Sequence, residues 1–396
     1  MRIVIDMQGA QTESRFRGIG RYTISFAQAV VRNCDKHEVI LALSGLFPET
    51  IEPIRAAFDG LLTQDKIRVW HAPGPVNESD DANDIRREAA ELLREDFFRK
   101  LEPDIVHVCS LFEGFGDNAA TSISRFDDRT PISVTLHDLI PLSNPNEYLL
   151  PNPRYHKHYL RKIEFLKRAA TYLAVSEFSR QEGIQALGRG PEIFINTLEA
   201  IEPQFQAKPV STEAMTQLKQ KFGIRHPFLL YTGGADERKN LPRLINAYAA
   251  LPKSLRDCHQ MVFAGKMPIE NIAFLKSVAQ LAGLKDEDIK FTGYVTDEEL
   301  VYFYNLCRLY IFPSWHEGFG LPALEAMACG APVIGANTSS LPEVIGWSEA
   351  LFDPYDVTAI SLKIAQALQA EWGGAAGRRR PGEGQRRLLR PRRCRS

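Results

Sequence analysis

Both halves of the chain alternate short runs of apolar, often β-branched residues with longer segments of helical spacing. This alternation restricts the possible folds more than any other feature, because strands separated by helices form parallel sheets that helices cover. The pattern therefore predicts two doubly wound α/β units. The candidate strands are Met1–Asp6, Val39–Leu43, Asp104–Val108, Ile132–Leu136, Tyr172–Val175, Phe228–Tyr231, Gln260–Phe263, Ile289–Phe291, Leu309–Phe312 and Pro332–Ile334.

The length of the chain also favours two domains. It has 396 residues, and single hydrophobic cores stop growing near roughly 250–300 residues. The hinge is expected between Glu199 and Pro227, where prolines and a polar stretch interrupt the pattern. We assign 1–200 to an N-terminal domain and 201–368 to a C-terminal domain. Ligands of such sheets bind beyond the carboxyl ends of the strands, so the expected site is the cleft between the domains.

Positive charge is concentrated in the last residues. Nine arginines and a single acid, Glu383, lie between Arg378 and Ser396, so the rest of the chain carries a net charge of −9 against a total of −1. The segment 369–396 has almost no apolar periodicity, and we expect it to be disordered. It is either a functional basic tail or an atypical ending that a frameshift or junction has put in place of the native one. The acidic remainder argues against nucleic acid as a partner.

The composition is that of a soluble cytoplasmic protein. No apolar run approaches the roughly 18 residues that a membrane span needs. The first residues, Met1–Ala10, are typical of a buried strand rather than of a signal peptide. The six cysteines are scattered without paired spacing, which favours small buried residues in a reducing compartment.

The segment from Ser314 to Met327, SWHEGFGLPALEAM, carries the most specific pattern. It follows a candidate strand, contains two glycines, and has Pro322 where the first turn of a helix favours proline. The backbone N–H groups of Gly320 and Leu321 would then point out of a helix N-terminus, a site suited to a diphosphate.

Two carboxylates flank this turn. Glu317 precedes it, and Glu325 lies one turn into the predicted helix. A carboxylate can accept hydrogen bonds from sugar hydroxyls or from a ribose diol. Taken singly, Glu325 is explained equally well as a solvated helix residue. Glu317 is explained equally well as a loop acid near the positive end of a helix dipole.

The segment as a whole resembles the E-x7-E signature of the retaining glycosyltransferase family 4. Members of that family have the GT-B fold, in which two Rossmann-like domains face each other across a cleft. The resemblance extends to the stretches CGAPVI at 329–334 and SSLPEV at 339–344, and covers nearly all residues up to Leu368. It implies that Glu317 holds hydroxyls of the donor sugar and that Glu325 holds the ribose. The other donor-binding residues that it implies in this segment are Gly318, Phe319, Gly320 and Leu321.

A second candidate site is the glycine turn after the strand Phe228–Tyr231. Gly233 and Gly234 permit a tight turn with close approach of a ligand. Arg238 and Lys239 follow, placing two cations at a predicted helix N-terminus, where the helix dipole disfavours them unless an anion is bound. By themselves they are also explained as an ordinary surface pair. The family resemblance implies that they bind the donor diphosphate and neutralise the leaving group.

The stretch RGIGRY, with Gly18 and Gly20, follows the first strand as a phosphate loop would. It lacks the third glycine of the dinucleotide fingerprint, so an NAD-dependent dehydrogenase is a weak interpretation. The resemblance implies a glycine-rich loop near the donor phosphates and the acceptor. The alternative is an ordinary turn between a strand and a helix.

His137 lies in the stretch LHDLIP at the carboxyl end of a candidate strand, where active-site residues of such sheets lie. A lone histidine is more often a satisfied core residue, but the resemblance implies that this one contacts the donor sugar.

No metal-ligand cluster is evident, and Asp127 and Asp128 are adjacent rather than spaced as in metal-dependent transferases. We therefore expect no metal and no cofactor other than the sugar-nucleotide substrate, with the two cations doing the work of a metal.

The segment Arg154–Ala170 is expected to form a helix with one apolar face and one basic face. The basic face carries Arg154, Lys157, Arg161 and Arg168. It is either a solvated surface or a face near an anionic membrane or a diphosphate-lipid acceptor.

Together these patterns predict a retaining transferase that moves a hexose from a sugar nucleotide. The opening stretch and LHDLIP look most like bacterial O-antigen mannosyltransferases, which implies GDP-mannose as donor and a lipid-linked saccharide as acceptor. Such an enzyme would work in the cytoplasm, either free or peripheral to the inner membrane face. The alternatives are a GT-B epimerase or phosphorylase, or a catalytically impaired sugar-nucleotide-binding module of a longer polymerase.

Overall fold

The structure is a computed structural model that describes residues 1–16 and 18–369. It divides into two compact units, Met1–Leu198 and a second that begins at Glu199. Apart from its first residue, the basic tail predicted over 369–396 lies outside the described residues, as does Arg17.

The N-terminal unit contains a seven-stranded parallel sheet in the order β3-β2-β1-β4-β5-β6-β7. Its strands are β1 (Arg2–Asp6), β2 (Glu38–Ser44), β3 (Ile67–Trp70), β4 (Ile105–Val108), β5 (Ile132–Leu136), β6 (Thr171–Ala174) and β7 (Phe194–Asn196). Its helices are α1 (Gly18–Arg32), α2 (Pro48–Ala57), α3 (Asp84–Lys100), α4 (Ile140–Ser143), α5 (Pro145–Tyr148), α6 (Pro153–Leu166) and α7 (Glu177–Leu187). Separate apolar clusters pack on the sheet, one including Ile5 and Leu41 and another including Val134 and Tyr172.

The second unit contains a six-stranded parallel sheet in the order β10-β9-β8-β11-β12-β13. Its strands are β8 (Phe228–Thr232), β9 (Gln260–Ala264), β10 (Ile289–Phe291), β11 (Leu309–Phe312), β12 (Val333–Ala336) and β13 (Leu351–Phe352). Its helices are α8 (Thr212–Phe222), α9 (Leu241–Ala249), α10 (Lys253–Arg256), α11 (Ile269–Leu281), α12 (Asp297–Leu306), α13 (Leu321–Ala328), α14 (Leu341–Ile345) and α15 (Val357–Gln369). Every residue of the central strands β8 and β11 is buried, as expected where helices cover both faces.

The predicted doubly wound architecture is confirmed, and each predicted strand is present within one or two residues. The prediction missed β3, β7 and β13, all of which are edge strands. An edge strand has one paired neighbour and is less completely enclosed, so it lacks a continuous apolar run. In β7, for example, Phe194 is buried, but Ile195 is half exposed and Asn196 is only partly buried.

The glycine stretch after β1 is not a loop. The polypeptide first makes two short 3₁₀ turns, and Gly18 and Gly20 form the first turn of α1. A Cβ atom at Gly20 would stand 2.3 Å from the Cα of Arg15. Glycine is therefore needed at position 20 because α1 packs directly on the backbone of the preceding turn. A contact of Gly18 and Gly20 with the donor phosphates stays a prediction.

Two residues of the basic face predicted for Arg154–Ala170 form ion pairs within the protein. The helix, α6, ends at Leu166. Arg161 pairs with Glu78 at 2.6 Å and with Glu91 at 2.8 Å, and Arg154 pairs with Asp81 at 2.7 Å. The alternative of a solvated surface is supported by exposure, since Arg154, Lys157 and Arg168 are all exposed. Carboxylates on α3 and in the segment before it nevertheless pair with Arg154 and Arg161.

Candidate functional site

Two loops of the C-terminal unit meet at the carboxyl ends of neighbouring strands. One follows β8 and carries Arg238 and Lys239, and the other follows β11 and carries Glu317. They are adjacent because β8 and β11 pair in the sheet. The backbone N–H of Trp315 donates to the carbonyl of Arg238 at 3.0 Å, and the Arg238 guanidinium donates to the carbonyl of His316 at 2.9 Å. Backbone and side-chain hydrogen bonds thus tie the loops together.

Glu317 lies between two cations. Its Oε1 is 2.6 Å from Lys239 Nζ, and its Oε2 is 2.7 Å from Arg238 Nη1. Burial by itself would raise the pKa of Glu317, but the charges of Arg238 and then Lys239 outweigh burial and lower the pKa to about 2. Glu317 is therefore ionised at neutral pH, and its partners are these cations rather than a helix dipole alone.

The cluster of Arg238, Lys239 and Glu317 retains a net positive charge. Burial lowers the pKa of Lys239, an effect that the charge of Glu317 partly offsets. Two cations face one carboxylate, and the three side chains are mostly buried. The carboxylate of Asp236 also favours the charged form of Lys239, and an anionic group such as a diphosphate would stabilise the two cations further.

Arg238 and Lys239 do not begin a regular α-helix. They belong to a single 3₁₀ turn, Glu237–Lys239, and α9 starts only after Asn240. Asn240 takes a left-handed conformation with φ of 60°. Its side-chain amide donates to the carbonyls of Pro313, at 3.1 Å, and Pro354, at 2.6 Å. Sequence reasoning missed this residue, although asparagine is one of the few residues that adopt this conformation readily.

Of the two glycines in the turn after β8, only Gly233 is required by the surrounding atoms. It has φ of 139°, and a Cβ there would lie 2.8 Å from the hydroxyl oxygen of Tyr231. At Gly234 the nearest atom to such a Cβ is an oxygen of Asp236 at 3.7 Å, an ordinary contact. A role of Gly234 in admitting a ligand stays a prediction.

Glu325 is buried in α13, so the alternative of a solvated helix residue is wrong. Its side chain is 5% exposed, and the Tyr304 hydroxyl donates to its Oε2 at 3.0 Å. The helix begins at Leu321 with proline in its first turn, as predicted. The preceding Gly320 has φ of 110°, and no side chain caps this N-terminus. The end of α13 therefore has the form expected of an anion-binding helix N-terminus.

Two serines after β12 hold the loop that carries Glu317. The Ser339 hydroxyl accepts from the backbone N–H of Glu317 at 3.1 Å. The fully buried Ser340 hydroxyl lies 3.0 Å from the carbonyl oxygen of Glu317 and 2.6 Å from that of Phe319. Sequence reasoning quoted this stretch only as part of the resemblance, because serine after a strand is equally typical of an ordinary turn.

His137 lies in the N-terminal unit, directly after β5. Its Nε2 is 3.0 Å from the carbonyl oxygen of Cys109, and its ring meets the edge of the Tyr22 ring at a centroid distance of 5.0 Å. The ring is half-buried. It is thus oriented by β4 and α1, and its contact with a donor sugar stays a prediction.

Residues 1–16 and 18–369 contain neither a metal-ligand group nor a membrane-spanning helix. Within these ranges, no three histidine, cysteine, aspartate or glutamate side chains are grouped so that they could hold a metal ion. None of the helices described there combines the length and the apolar character needed to cross a bilayer. Of the adjacent acids 127 and 128, Asp127 accepts from the Arg129 N–H and from the Thr130 hydroxyl.

Two family models match the chain. The model for glycosyltransferase family 4 matches residues 16–193, and the model for glycosyl transferases group 1 matches residues 215–387. One falls within the N-terminal unit, and the other contains Arg238, Lys239, Glu317 and Glu325.

Mannosyltransferases are among the similar proteins. The serotype-specific mannosyltransferase WbdA of Escherichia coli is 37% identical over 94% of this chain and 44% of its own length. The O-antigen chain mannosyltransferase B of Escherichia coli is 36% identical over 60% of this chain and 61% of its own. The chain therefore spans less than half of WbdA.

A solved structure of the same architecture is that of Anabaena HepE in complex with UDP and glucose. It has a TM-score of 0.64 and 17% sequence identity over 94% of this chain and 91% of its own. The likeness confirms the predicted GT-B fold.

Proposed function

Because the chain belongs to glycosyltransferase family 4, we propose that it transfers mannose from GDP-mannose to a lipid-linked saccharide in bacterial O-antigen synthesis. We propose further that the anomeric configuration is retained and that no metal takes part. The mannosyltransferase relatives support the choice of sugar. The cytoplasm, where sugar nucleotides are made, is the proposed compartment, with peripheral contact to the inner membrane face for access to the acceptor.

The observation that carries this proposal is the net positive, mostly buried cluster in which Arg238 and Lys239 flank Glu317. When a glycosyl group leaves a nucleotide, negative charge develops on the departing diphosphate. Fixed cations in a site of low dielectric stabilise that charge more strongly than water does. Arg238 and Lys239 are held in place by Glu317 before any donor binds, so little reorganisation is needed.

The remaining residues of the C-terminal unit receive roles from their positions. The backbone N–H groups at Gly320 and Leu321 would bind a phosphate at the N-terminus of α13. Glu317 would accept from a hydroxyl of the sugar while it keeps its contacts with both cations, since a carboxylate oxygen can accept more than one hydrogen bond, and Glu325 would accept from the ribose diol. We assign donor contacts to Gly318 and Phe319 in the same loop, and contact with the sugar to His137 of the N-terminal unit.

A second candidate is a donor-binding module of a longer polymerase. It is favoured by one observation, that the chain spans 44% of WbdA. Such a module would bind the sugar nucleotide without turning it over.

The proposal is tested by incubating the full chain with GDP-mannose, UDP-glucose and UDP-galactose, with and without a lipid-linked mannan acceptor. The expected result is that GDP-mannose is the only one of the three donors used, and that GDP is released only when the acceptor is present. NMR of the product should show an α-linked mannose. Tight GDP binding without release would favour the second candidate. Release from a UDP-sugar only would overturn the choice of donor.

A further inference from the structure

A line of three hydroxyl groups crosses the core of the C-terminal unit and ends at Glu325. The Tyr310 hydroxyl lies 3.1 Å from Thr232 Oγ1, which lies 2.9 Å from the Tyr304 hydroxyl. The Tyr304 hydroxyl then donates to Glu325 Oε2 at 3.0 Å. The four residues come from β11, β8, α12 and α13, and none is more than 5% exposed.

Counting protons fixes the direction of each of these hydrogen bonds. A hydroxyl has one proton to donate. The proton of Tyr304 goes to Glu325, so Thr232 must be the donor to Tyr304. The proton of Thr232 is then used, so Tyr310 must donate to Thr232. All three protons point towards the carboxylate, and each hydroxyl polarises the next in the line.

The tyrosine hydroxyls remain protonated donors. Burial, and then the charge of Glu325, raise the pKa of Tyr304 well above its ordinary value. Burial does the same to the pKa of Tyr310. Both tyrosines therefore keep their protons throughout the pH range in which the protein would work. Since Tyr304 donates to one oxygen of the carboxylate, it fixes the position of that oxygen and restricts rotation of the group.

We propose that Tyr304 is a positioning residue that makes Glu325 selective for the ribose diol of a nucleotide. The inference rests on the proposed function, in which Glu325 accepts from the ribose. It extends that function by assigning recognition of the diol to a tyrosine that acts only through Glu325. Two neighbouring hydroxyls can both donate to a carboxylate only when its plane is fixed, and supporting hydrogen bonds are what hold such a group within the required angle.

The test compares nucleotides that differ only in the diol. Binding of GDP and of UDP to the full chain is measured by titration calorimetry, each beside its 2′,3′-dideoxy counterpart. The wild type should prefer the ribose form. Tyr304→Phe keeps the ring and should weaken binding of the ribose form about tenfold while leaving the dideoxy form unchanged. A merely structural role would weaken both forms alike.

Tyr310→Phe is the matched control, because it removes an equally buried hydroxyl at the far end of the same line. It should leave the preference for ribose within about threefold of wild type, since Glu325 keeps its direct donor. A second measurement adds Tyr304→Phe to Glu325→Gln. If Tyr304 acts through Glu325, the added substitution should cause no further loss of ribose preference.

Each contrary outcome points to a different error. If Tyr304→Phe keeps the wild-type preference for ribose, or if the losses in the double variant add, the positioning role is overturned. If the wild type binds GDP or UDP but does not distinguish the dideoxy form, this inference falls and the transferase proposal stands. If the wild type binds neither nucleoside diphosphate, the proposed function fails and the inference fails with it.

Discussion

Lys239 Nζ lies 2.6 Å from Glu317 Oε1, so the proposed leaving-group cation is already paired with the residue proposed to hold the sugar. Burial disfavours the charged form of Lys239, and the pairing with Glu317 offsets part of that effect. The pairing also means that substitution of either residue changes the electrostatic environment of the other.

Substitution of Lys239 should slow catalysis more than it weakens binding. Lys239→Ala removes a cation from the developing diphosphate, and the loss of one such group lowers kcat by at least about 100-fold. Steady-state kinetics with GDP-mannose measure the change. Lys221→Ala, which removes a lysine paired at the surface with Glu299, is the control and should leave kcat unaltered. Activity of Lys239→Ala within tenfold of wild type would contradict the assignment.

Glu317 should stabilise the folded protein at neutral pH and lose that effect in acid. Its folded pKa of about 2 lies below the ordinary 4.5, so its stabilisation is present above about pH 5 and is lost as the pH falls towards 2. Glu317→Gln leaves two buried cations without their carboxylate and should lower the free energy of unfolding by about 3 kcal/mol at pH 7. Denaturant titrations of both proteins at several pH values should show the difference shrinking below pH 5.

The control for that comparison is Glu164→Gln, which removes an exposed pair with Lys167. Surface pairs contribute about 1 kcal/mol at most, so this variant should unfold almost as the wild type does at every pH. A difference between wild type and Glu317→Gln that stays constant from pH 7 to pH 3 would show that the carboxylate is not held ionised by its neighbours.

The individual site residues could be predicted from local sequence, but their support could not. Glu317 stands in a distinctive motif, and Lys239 follows a glycine turn. Their contact joins positions 78 residues apart, and it depends on which strands become neighbours in the sheet. Tyr304 is in a helix whose spacing indicates an ordinary core position. The hydrogen bonds of its hydroxyl to Thr232 and Glu325 form only when the fold brings β8 and α13 next to this helix.

Ser340 should affect donor binding through the loop that carries Glu317. Ser340→Ala removes the hydroxyl whose single proton is shared between two carbonyl oxygens of that loop, which costs about 1–3 kcal/mol of stability. The KM for GDP-mannose should rise, because the loop is no longer held. Ser211→Ala removes the N-cap of α8 in the same unit, at a cost of about 1 kcal/mol, and should leave KM unchanged. Equal KM values for the two variants would contradict this role.

Catalysis should not depend on a divalent cation. In the proposed mechanism, Arg238 and Lys239 would provide the positive charge that a metal would otherwise supply to the diphosphate. Initial rates with GDP-mannose should therefore be the same in buffer and in excess EDTA. Loss of activity in the chelator with recovery on addition of Mn²⁺ or Mg²⁺ would overturn the prediction.

Lys162 should make the protein more stable as the pH rises above neutrality. It is fully buried in α6, where its ammonium donates to the carbonyl of Thr121 at 2.6 Å. Burial, and then the charge of Arg161, lower its pKa to about 7, although Glu91 and Glu78 oppose the shift. Between about pH 7 and 10.5 the unfolded chain holds a proton on this lysine that the folded protein has released. The free energy of unfolding must then increase with pH in that window, by up to about 1.4 kcal/mol per pH unit from this group.

Lys162→Met removes this titration while keeping an unbranched side chain in the core. The Thr121 oxygens lose a donor in the variant, but that cost does not change with pH. The stability of wild type relative to Lys162→Met should therefore rise between pH 7 and pH 9 in urea titrations, and change little between pH 6 and pH 7. Lys167→Met, at an exposed lysine paired with Glu164, should show no such trend. A difference between wild type and Lys162→Met that is independent of pH would mean that Lys162 remains charged in the folded protein, held by Glu78 and Glu91.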